Sequence, residues 1–245
     1  MKLSTALLLP IFAATCQAAT TTFNDTITAI YGGGNPNGGW TSVTEGNLEI
    51  ALRGKNRDTG ATTNDGAGTY SFPTGFAVNP ARALWQFEYS MNSDADGGAV
   101  TNLSSYRFVL SFDTDPSLNQ AWSTLDLSLI PDNSFGTSAT ANGAGAEGLW
   151  SALAGSNTVA QNSQNMVFFP GFPSPNANGT YDFKLTAYSS TDTAGTTPLA
   201  DVGMRVEVGA GGAALPDSGS TLAMLGSAFL GLVGLSKLKS RRNAR

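Results

Sequence analysis

Apolar and polar residues alternate along much of the chain. In the segment YRFVLSFD, every second residue from Tyr106 to Phe112 is aromatic or leucine. This two-residue period is typical of a strand with one buried face. The segments 124–130, 180–188 and 202–208 share the period, which predicts three further strands with these inward residues: Leu125, Leu127 and Leu129; Tyr181, Phe183, Leu185 and Ala187; Val202, Met204, Val206 and Val208.

Less regular apolar runs predict further strands at 26–31, 47–52, 83–91 and 166–169. Glycine, proline, asparagine and aspartate fill the gaps between these runs, as expected of turns. A short helix is predicted at 148–154, where Leu149, Trp150 and Leu153 share one face.

The pattern predicts one all-β domain. About eight strands with polar outer faces and no alternating helices favour an antiparallel β-sandwich of the Ig-like or jelly-roll class. The predicted sandwich covers residues 19–208, and the sequence GAGGAA at 209–214 is expected to be a flexible linker.

The N-terminal segment 1–18 has the features of a signal peptide. Lys2 precedes a short apolar run, and small residues follow it, which predicts cleavage after Ala18. Cys16 leaves open a lipoprotein alternative, although Thr15 stands where a small lipobox residue is expected. Cys16 is the only cysteine of the chain, so ordinary cleavage would leave neither a disulfide nor a thiolate metal site.

Charge is distributed unevenly. Residues 19–215 contain seven of the 13 basic and 17 of the 18 acidic residues, which gives them a net charge of −10. Such a surface is repelled by nucleic acids and by anionic lipids. The expected partners are therefore neutral glycans, cations or other proteins, and no nucleic acid.

Several kinds of active site are excluded by composition. The chain contains no histidine, which excludes Ser-His-Asp and Cys-His nucleophilic sites and the usual zinc sites. The sequence GAGAEG at 143–148 follows a polar run instead of a strand, so it predicts a turn and not a dinucleotide site. We therefore expect a non-catalytic protein with no certain cofactor.

Two acidic clusters suggest a calcium site. Asn92, Asp94 and Asp96 alternate before a glycine, the spacing with which a loop can surround Ca²⁺. Asp113 and Asp115 end the next predicted strand, and adjacent strands could bring both clusters to one edge. The alternatives are an acidic turn capped by its own side chains and, less expected, a glycoside hydrolase built on two carboxylates.

The four tryptophans suggest either core packing or a sugar-stacking surface. Trp40, Trp85, Trp122 and Trp150 are mostly expected in the core, because a sandwich without disulfides needs large buried side chains. Trp40, in the loop GGWTS, is expected to be the most exposed and is the candidate contact for a glycan.

The C-terminal region has three parts. Pro216, Asp217, Ser218 and Gly219 form an extended, unhindered motif, which suits recognition by a processing enzyme. The uncharged run from Thr221 to Leu235 predicts a short membrane helix of about 22 Å. Basic residues follow it and place the C-terminus in the cytoplasm: Lys237, Lys239, Arg241, Arg242 and Arg245.

Small residues recur every four positions in this predicted helix, at Gly219, Ala223, Ser227 and Gly231. Such a face could pack closely against another membrane helix. A simple tail anchor without a partner is the alternative.

In order and position, these three parts resemble the PEP-CTERM class of bacterial sorting signals, in particular its VPDSG variant, with Leu215 in place of valine. The resemblance covers residues 215 to about 242 and implies recognition by an exosortase-type membrane transpeptidase. LPDSG is also similar to the LPxTG signal of Gram-positive sortases, with serine for threonine, which is the alternative. The resemblance implies no activity for the body.

Together these features predict an exported surface or extracellular-matrix protein. The chain would cross the inner membrane, remain held there in transit by the helix within 215–245, and reach the cell surface or matrix after processing. A module that binds extracellular polysaccharide, with or without calcium, is the alternative function.

Overall fold

The computed structural model describes residues 20–31, 37–98, 101–169 and 171–211. Within these ranges the chain forms two facing β-sheets and only single-turn helices, which confirms the predicted all-β class. The predicted signal peptide and residues 215–245 lie outside the described ranges. In the part that is described, no helix is long and apolar enough to span a membrane.

The strands have the following bounds: β1 Thr21–Asp25, β2 Trp40–Glu45, β3 Leu48–Asn56, β4 Thr69–Phe72, β5 Trp85–Asn92, β6 Tyr106–Asp113, β7 Trp122–Asp126, β8 Asn133–Gly136, β9 Ala146–Gly148, β10 Val159–Asn165, β11 Gly179–Ser189 and β12 Ala200–Val208. The α-helical turn α1 covers Trp150–Leu153, and 3-10 turns cover Leu103–Ser105, Leu127–Leu129 and Met166–Phe168.

The larger sheet has the strand order β1-β2-β3-β5-β10-β8-β9, and the smaller has the order β4-β12-β11-β6-β7. Neighbouring strands are antiparallel except for β4 and β12, which run parallel. The expectation of a purely antiparallel sandwich is therefore wrong at this edge. Because the chain passes through strands of both sheets between β4 and β12, no hairpin sets the direction of β4.

The core lies between the sheets and is rich in aromatic rings. Phe87 of β5 faces Phe183 of β11 with ring centroids 4.8 Å apart, and Trp85 stacks on Tyr181 at 5.7 Å. The inward residues predicted on β11 and β12 are all buried. Alternation along these strands therefore identified the core face of the smaller sheet.

Some predicted elements differ from the structure. β7 ends at Asp126, and the 3-10 turn that follows buries Leu127 but leaves Leu129 71 % exposed, so the predicted leucine face is wrong beyond β7. Residues 26–31 form no strand, and 166–169 begin with a 3-10 turn. The predicted helix 148–154 is reduced to α1, with Leu149 exposed.

The beginning of the predicted linker belongs to the folded body. The Gly209 N–H donates to the Phe72 carbonyl oxygen at 2.8 Å, and the Ala210 N–H donates to Asn178 Oδ1 at 3.2 Å. The Gly211 N–H closes a turn onto the Val208 carbonyl oxygen. Residues 209–211, which were expected to belong to a flexible linker, are thus hydrogen-bonded to the sandwich.

Gly54 of β3 lies where the two sheets approach closely. A Cβ atom at Gly54 would lie 2.8 Å from Phe72 Cε2 and 2.9 Å from Tyr70 Cβ. We expect Gly54→Ala to lower the free energy of unfolding by about 1–3 kcal/mol through overpacking, as measured by urea denaturation.

Gly203 of β12 is the matched control for Gly54. Its added Cβ would meet only the Phe183 carbonyl oxygen, at 3.6 Å. Gly203→Ala should therefore leave the stability unchanged or raise it, because glycine weakens a strand interior. Equal effects of the two substitutions would contradict the close approach at Gly54.

Candidate functional site

An open groove of about 490 Å³ crosses the outer face of the smaller sheet. We call it the outer groove. Its floor comes from the outward positions of β11 and β12, because their inward neighbours fill the core. The polar and aromatic residues that line it are Thr21, Phe23, Thr69, Gln120, Trp122, Asp182, Phe183, Lys184, Asp201 and Arg205.

A hydrogen-bonded network crosses the outer groove. Arg205 donates from Nε and Nη2 to the two carboxylate oxygens of Asp182, at 2.7 and 3.0 Å. Gln120 Nε2 donates to Asp182 Oδ2 at 2.5 Å, and Trp122 Nε1 donates to Gln120 Oε1 at 3.3 Å. Burial alone would raise the pKa of Asp182, but the bonds from Arg205 and Gln120 outweigh it and lower that pKa.

Trp40 does not contribute to an exposed surface. It is fully buried, with the Arg53 guanidinium 4.3 Å from the centre of its ring and its Nε1 donating to Asn37 Oδ1. The prediction that Trp40 is the exposed, glycan-contacting tryptophan is therefore wrong. Residues 26–31 and 37–39 cover it from the outer side of the larger sheet, burying Ile27 and Tyr31 beside it.

The exposed tryptophan is Trp122, at 46 % exposure, in the first position of β7. Trp85 is buried in the core, and Trp150 is half-buried between Phe108 and Phe135. The expectation that most tryptophans belong to the core is thus confirmed. Trp122 and Asp126 are four residues apart in β7 and therefore lie on the same outward face, as the two-residue period of a strand predicts from the sequence.

The turn after β5 is held together by its own side chains. Asn92 Oδ1 accepts from the Asp94 N–H at 3.0 Å, and Asp96 Oδ1 accepts from the Gly98 N–H at 2.9 Å. Asn47 donates to Asp94 Oδ1 from the β2–β3 turn, at 3.1 Å. These contacts make the segment an acidic turn capped by its own carboxylates and amides.

The second acidic cluster has a similar structure. Asp113 Oδ1 accepts from the N–H groups of Asp115 and Ala121, at 3.0 and 2.7 Å. Asp115 Oδ1 accepts from the Ser117 N–H at 2.8 Å. Asp113 is buried in spite of its outward position on β6, because this loop folds over it.

The two clusters lie at opposite ends of the sandwich. Trp85, at the start of β5, stacks on Tyr181 of β11. This part of β11 lies beside the end of β6, close to Asp113, so the start of β5 and Asp113 are at the same end of the sandwich. Asn92 is at the other end of β5. The expected convergence of the clusters at one edge is therefore wrong, because consecutive strands in different sheets run in opposite directions. Across the described ranges, no three His, Cys, Asp or Glu side chains group as for a metal ion; calcium binding at either turn alone stays a prediction.

A buried charged cluster lies on the outer face of the larger sheet. Glu88 of β5 accepts from Arg53 Nε at 2.6 Å through Oε2 and pairs with Lys55 through Oε1, and all three side chains are at most 4 % exposed. Burial alone would raise the pKa of Glu88, but the charges of Arg53 and Lys55 outweigh it and hold that pKa below its ordinary value. The sequence did not indicate this cluster.

Glu49 of β3 has a raised pKa, in contrast to Glu88. It is half-buried, and burial, together with the nearby Asp25 charge, raises its pKa from 4.5 to about 7. Asp25 is itself held by Ser42 Oγ and by the Thr26 N–H. Glu49 does not line the outer groove.

Comparison with known proteins finds a family model that matches the C-terminal region. Residues 216–239 match the family model described as the VPDSG-CTERM motif. No curated protein and no solved structure matches the chain, so the Ig-like or jelly-roll class of the sandwich stays a prediction. The predicted resemblance of the tail is confirmed. Residues 216–239 are a VPDSG-CTERM motif, a PEP-CTERM-like exosortase sorting signal, which implies export and sorting to the cell surface by an exosortase-type processing enzyme.

Proposed function

We propose that the chain is a non-catalytic surface or extracellular-matrix protein whose sandwich is delivered by processing at residues 216–219. The observation that carries this proposal is the VPDSG-CTERM motif placed directly after a folded acidic body. Only residues 212–215 stand in the sequence between Gly211 of that body and Pro216. During transit the apolar run 221–235 lies in the inner membrane, with the basic tail in the cytoplasm.

The charges of the outer groove support a non-catalytic role. Asp182 is paired with Arg205, and Asp201 is paired with Lys184 at 3.2 Å. A carboxylate-based hydrolase needs a general acid with a raised pKa, whereas the pKa of Asp182 is lowered. The carboxyl with a raised pKa, Glu49, is outside the groove. Polysaccharide hydrolysis that is lost in Glu49→Gln would contradict the non-catalytic proposal.

The sorting part of the proposal is tested by replacing residues 216–219 with four alanines. We expect the variant to stay membrane-associated and to be absent from the surface, because the processing enzyme no longer has its extended, unhindered motif. Cell fractionation and surface labelling measure this distribution.

A variant with GAGGAA at 209–214 changed to GSGGSS is the matched control. It alters the adjacent segment without altering the motif, and it should reach the surface like the native chain. Equal surface delivery of the alanine variant would contradict sorting through residues 216–219.

Polysaccharide binding is a second candidate for the body. The observation that favours it is the pair of exposed aromatic side chains in the outer groove, Trp122 at 46 % and Phe23 at 41 % exposure. Large aromatic side chains in an open groove are suited to contacts with a partner that has both apolar and polar faces.

A further inference from the structure

Aromatic residues stand on opposite sides of the outer groove. Trp122 comes from β7 at one edge of the smaller sheet, and Phe23 comes from β1 of the larger sheet, beside the Gly68 turn. The Trp122 indole is held at its nitrogen by Gln120, and the side chain is about half exposed to solvent, at 46 %. A fixed ring of this kind can bind the apolar face of a sugar ring with little loss of conformational entropy.

The floor between these rings carries planar hydrogen-bonding groups and no net charge. Asp182 and Asp201 balance Arg205 and Lys184. Carboxylate, guanidinium and amide groups can bond two neighbouring hydroxyl groups at once. The network from Trp122 to Arg205 already fixes their positions, so little ordering is needed on binding.

Gly203 gives the groove its open floor. It occupies an outward position of β12 opposite Lys184, and a Cβ atom there would have a single neighbour, the Phe183 carbonyl oxygen at 3.6 Å. The space above this glycine is thus free for a ligand, and a larger side chain would enter that space without disturbing the core.

We propose that the outer groove binds a segment of an uncharged polysaccharide chain, with a sugar ring on Trp122 and hydroxyl groups on Asp182 and Arg205. This inference rests on the proposed extracellular role of the body. An open groove admits a chain that continues in both directions, unlike a closed pocket. The balanced charges within the groove, on a body of net charge −10, favour a neutral chain over an acidic one.

The test is affinity electrophoresis of the exported native chain through gels that contain dextran, a β-1,3-glucan, galactomannan or alginate. We expect retardation by at least one of the three uncharged polymers and weaker retardation by alginate. Trp122→Ala should weaken binding at least tenfold. Gly203→Val should weaken it at least tenfold while the melting temperature stays the same or rises, because valine fills the floor and favours a strand.

Phe168→Ala is the matched control, since Phe168 is also an exposed aromatic residue, at 51 %, but contacts Arg82 outside the groove. It should bind like the native chain. The inference is overturned if none of the three uncharged polymers retards the chain, if Trp122→Ala and Gly203→Val bind normally, or if alginate binds best. It is also overturned if Trp122 instead mediates association between copies, seen as a Trp122-dependent change in sedimentation without polysaccharide. Because binding is measured separately from surface delivery, failure here is distinguishable from failure of the sorting proposal.

Discussion

Replacing Glu88 by glutamine is expected to lower the free energy of unfolding by about 3–5 kcal/mol, because the substitution leaves two buried cations without their anion. Arg53 and Lys55 are at most 4 % exposed and both pair with this carboxylate. Their other contacts, such as the bond from Arg53 Nη1 to the Gly38 carbonyl oxygen at 2.8 Å, do not replace the charge. Urea denaturation of the two chains measures the difference.

Asp201→Asn is the control for this prediction. Asp201 pairs with Lys184 at 3.2 Å, but both side chains are about half exposed, at 52 % and 47 %. Water screens such a pair, so its loss should cost less than about 1 kcal/mol. If Glu88→Gln were as mild as Asp201→Asn, Glu88 would not be the anion that stabilises the two buried cations.

The second large effect is a loss of stability as the pH rises, caused by Glu49. Its pKa is raised to about 7 in the folded chain, whereas it has the ordinary value of 4.5 when unfolded. The folded state therefore binds the proton more tightly than the unfolded state between these values. Stability should fall by about 3 kcal/mol from pH 4.5 to pH 7 through this group and level off above pH 7.

Glu49→Gln removes this titration. Between pH 4 and pH 8, the free energy of unfolding of the native chain should fall by about 3 kcal/mol relative to that of Glu49→Gln. Asp25→Asn should move the loss to lower pH, because the Asp25 charge is one of the two causes of the shift. Parallel pH profiles for the native chain and Glu49→Gln would show that Glu49 is not the responsible group.

Strands whose apolar residues mark a core face were predictable from the sequence, and these include β5, although both of its faces are buried. β6, β11 and β12 lie where alternation placed them. β10, with the sequence VAQNSQN, was missed because polar residues occupy both of its faces, so no apolar alternation marks it. Its outward residue Gln161 is polar and yet buried. Hydrogen bonds explain this burial, since the Gln161 side chain accepts from the Ile30 N–H at 2.8 Å and donates to the Thr28 carbonyl oxygen at 2.5 Å.

The same packing explains the incorrect strand at 26–31. Its apolar residues Ile27 and Ile30 suggested a strand, but they are used to cover the larger sheet. The segment bonds to side chains and to the loop at 143–145 instead of to a strand ladder. The local sequence pattern cannot show that residues 26–31 pack over the larger sheet, because Gln161, to which Ile30 is hydrogen-bonded, is 131 residues away in the chain.

The candidate site was predictable only in part. The glycines around Trp40 suggested exposure, but the long-range contact with Arg53 buries it. The exposure of Trp122 was not predicted, although the parity of β7 indicates it. The network that joins Trp122 to Asp182 and Arg205 depends on the pairing of four strands, β7, β6, β11 and β12. The sorting motif was predictable because its parts are consecutive in the sequence.

Export and processing at the C-terminal motif are tested most directly by mass spectrometry of the protein recovered from the cell surface. We expect to detect peptides from the sandwich and no peptide from residues 222–245. The C-terminus of the recovered protein should lie at or beside residues 216–219. Surface material that ends at an intact Arg245 would contradict processing at this signal.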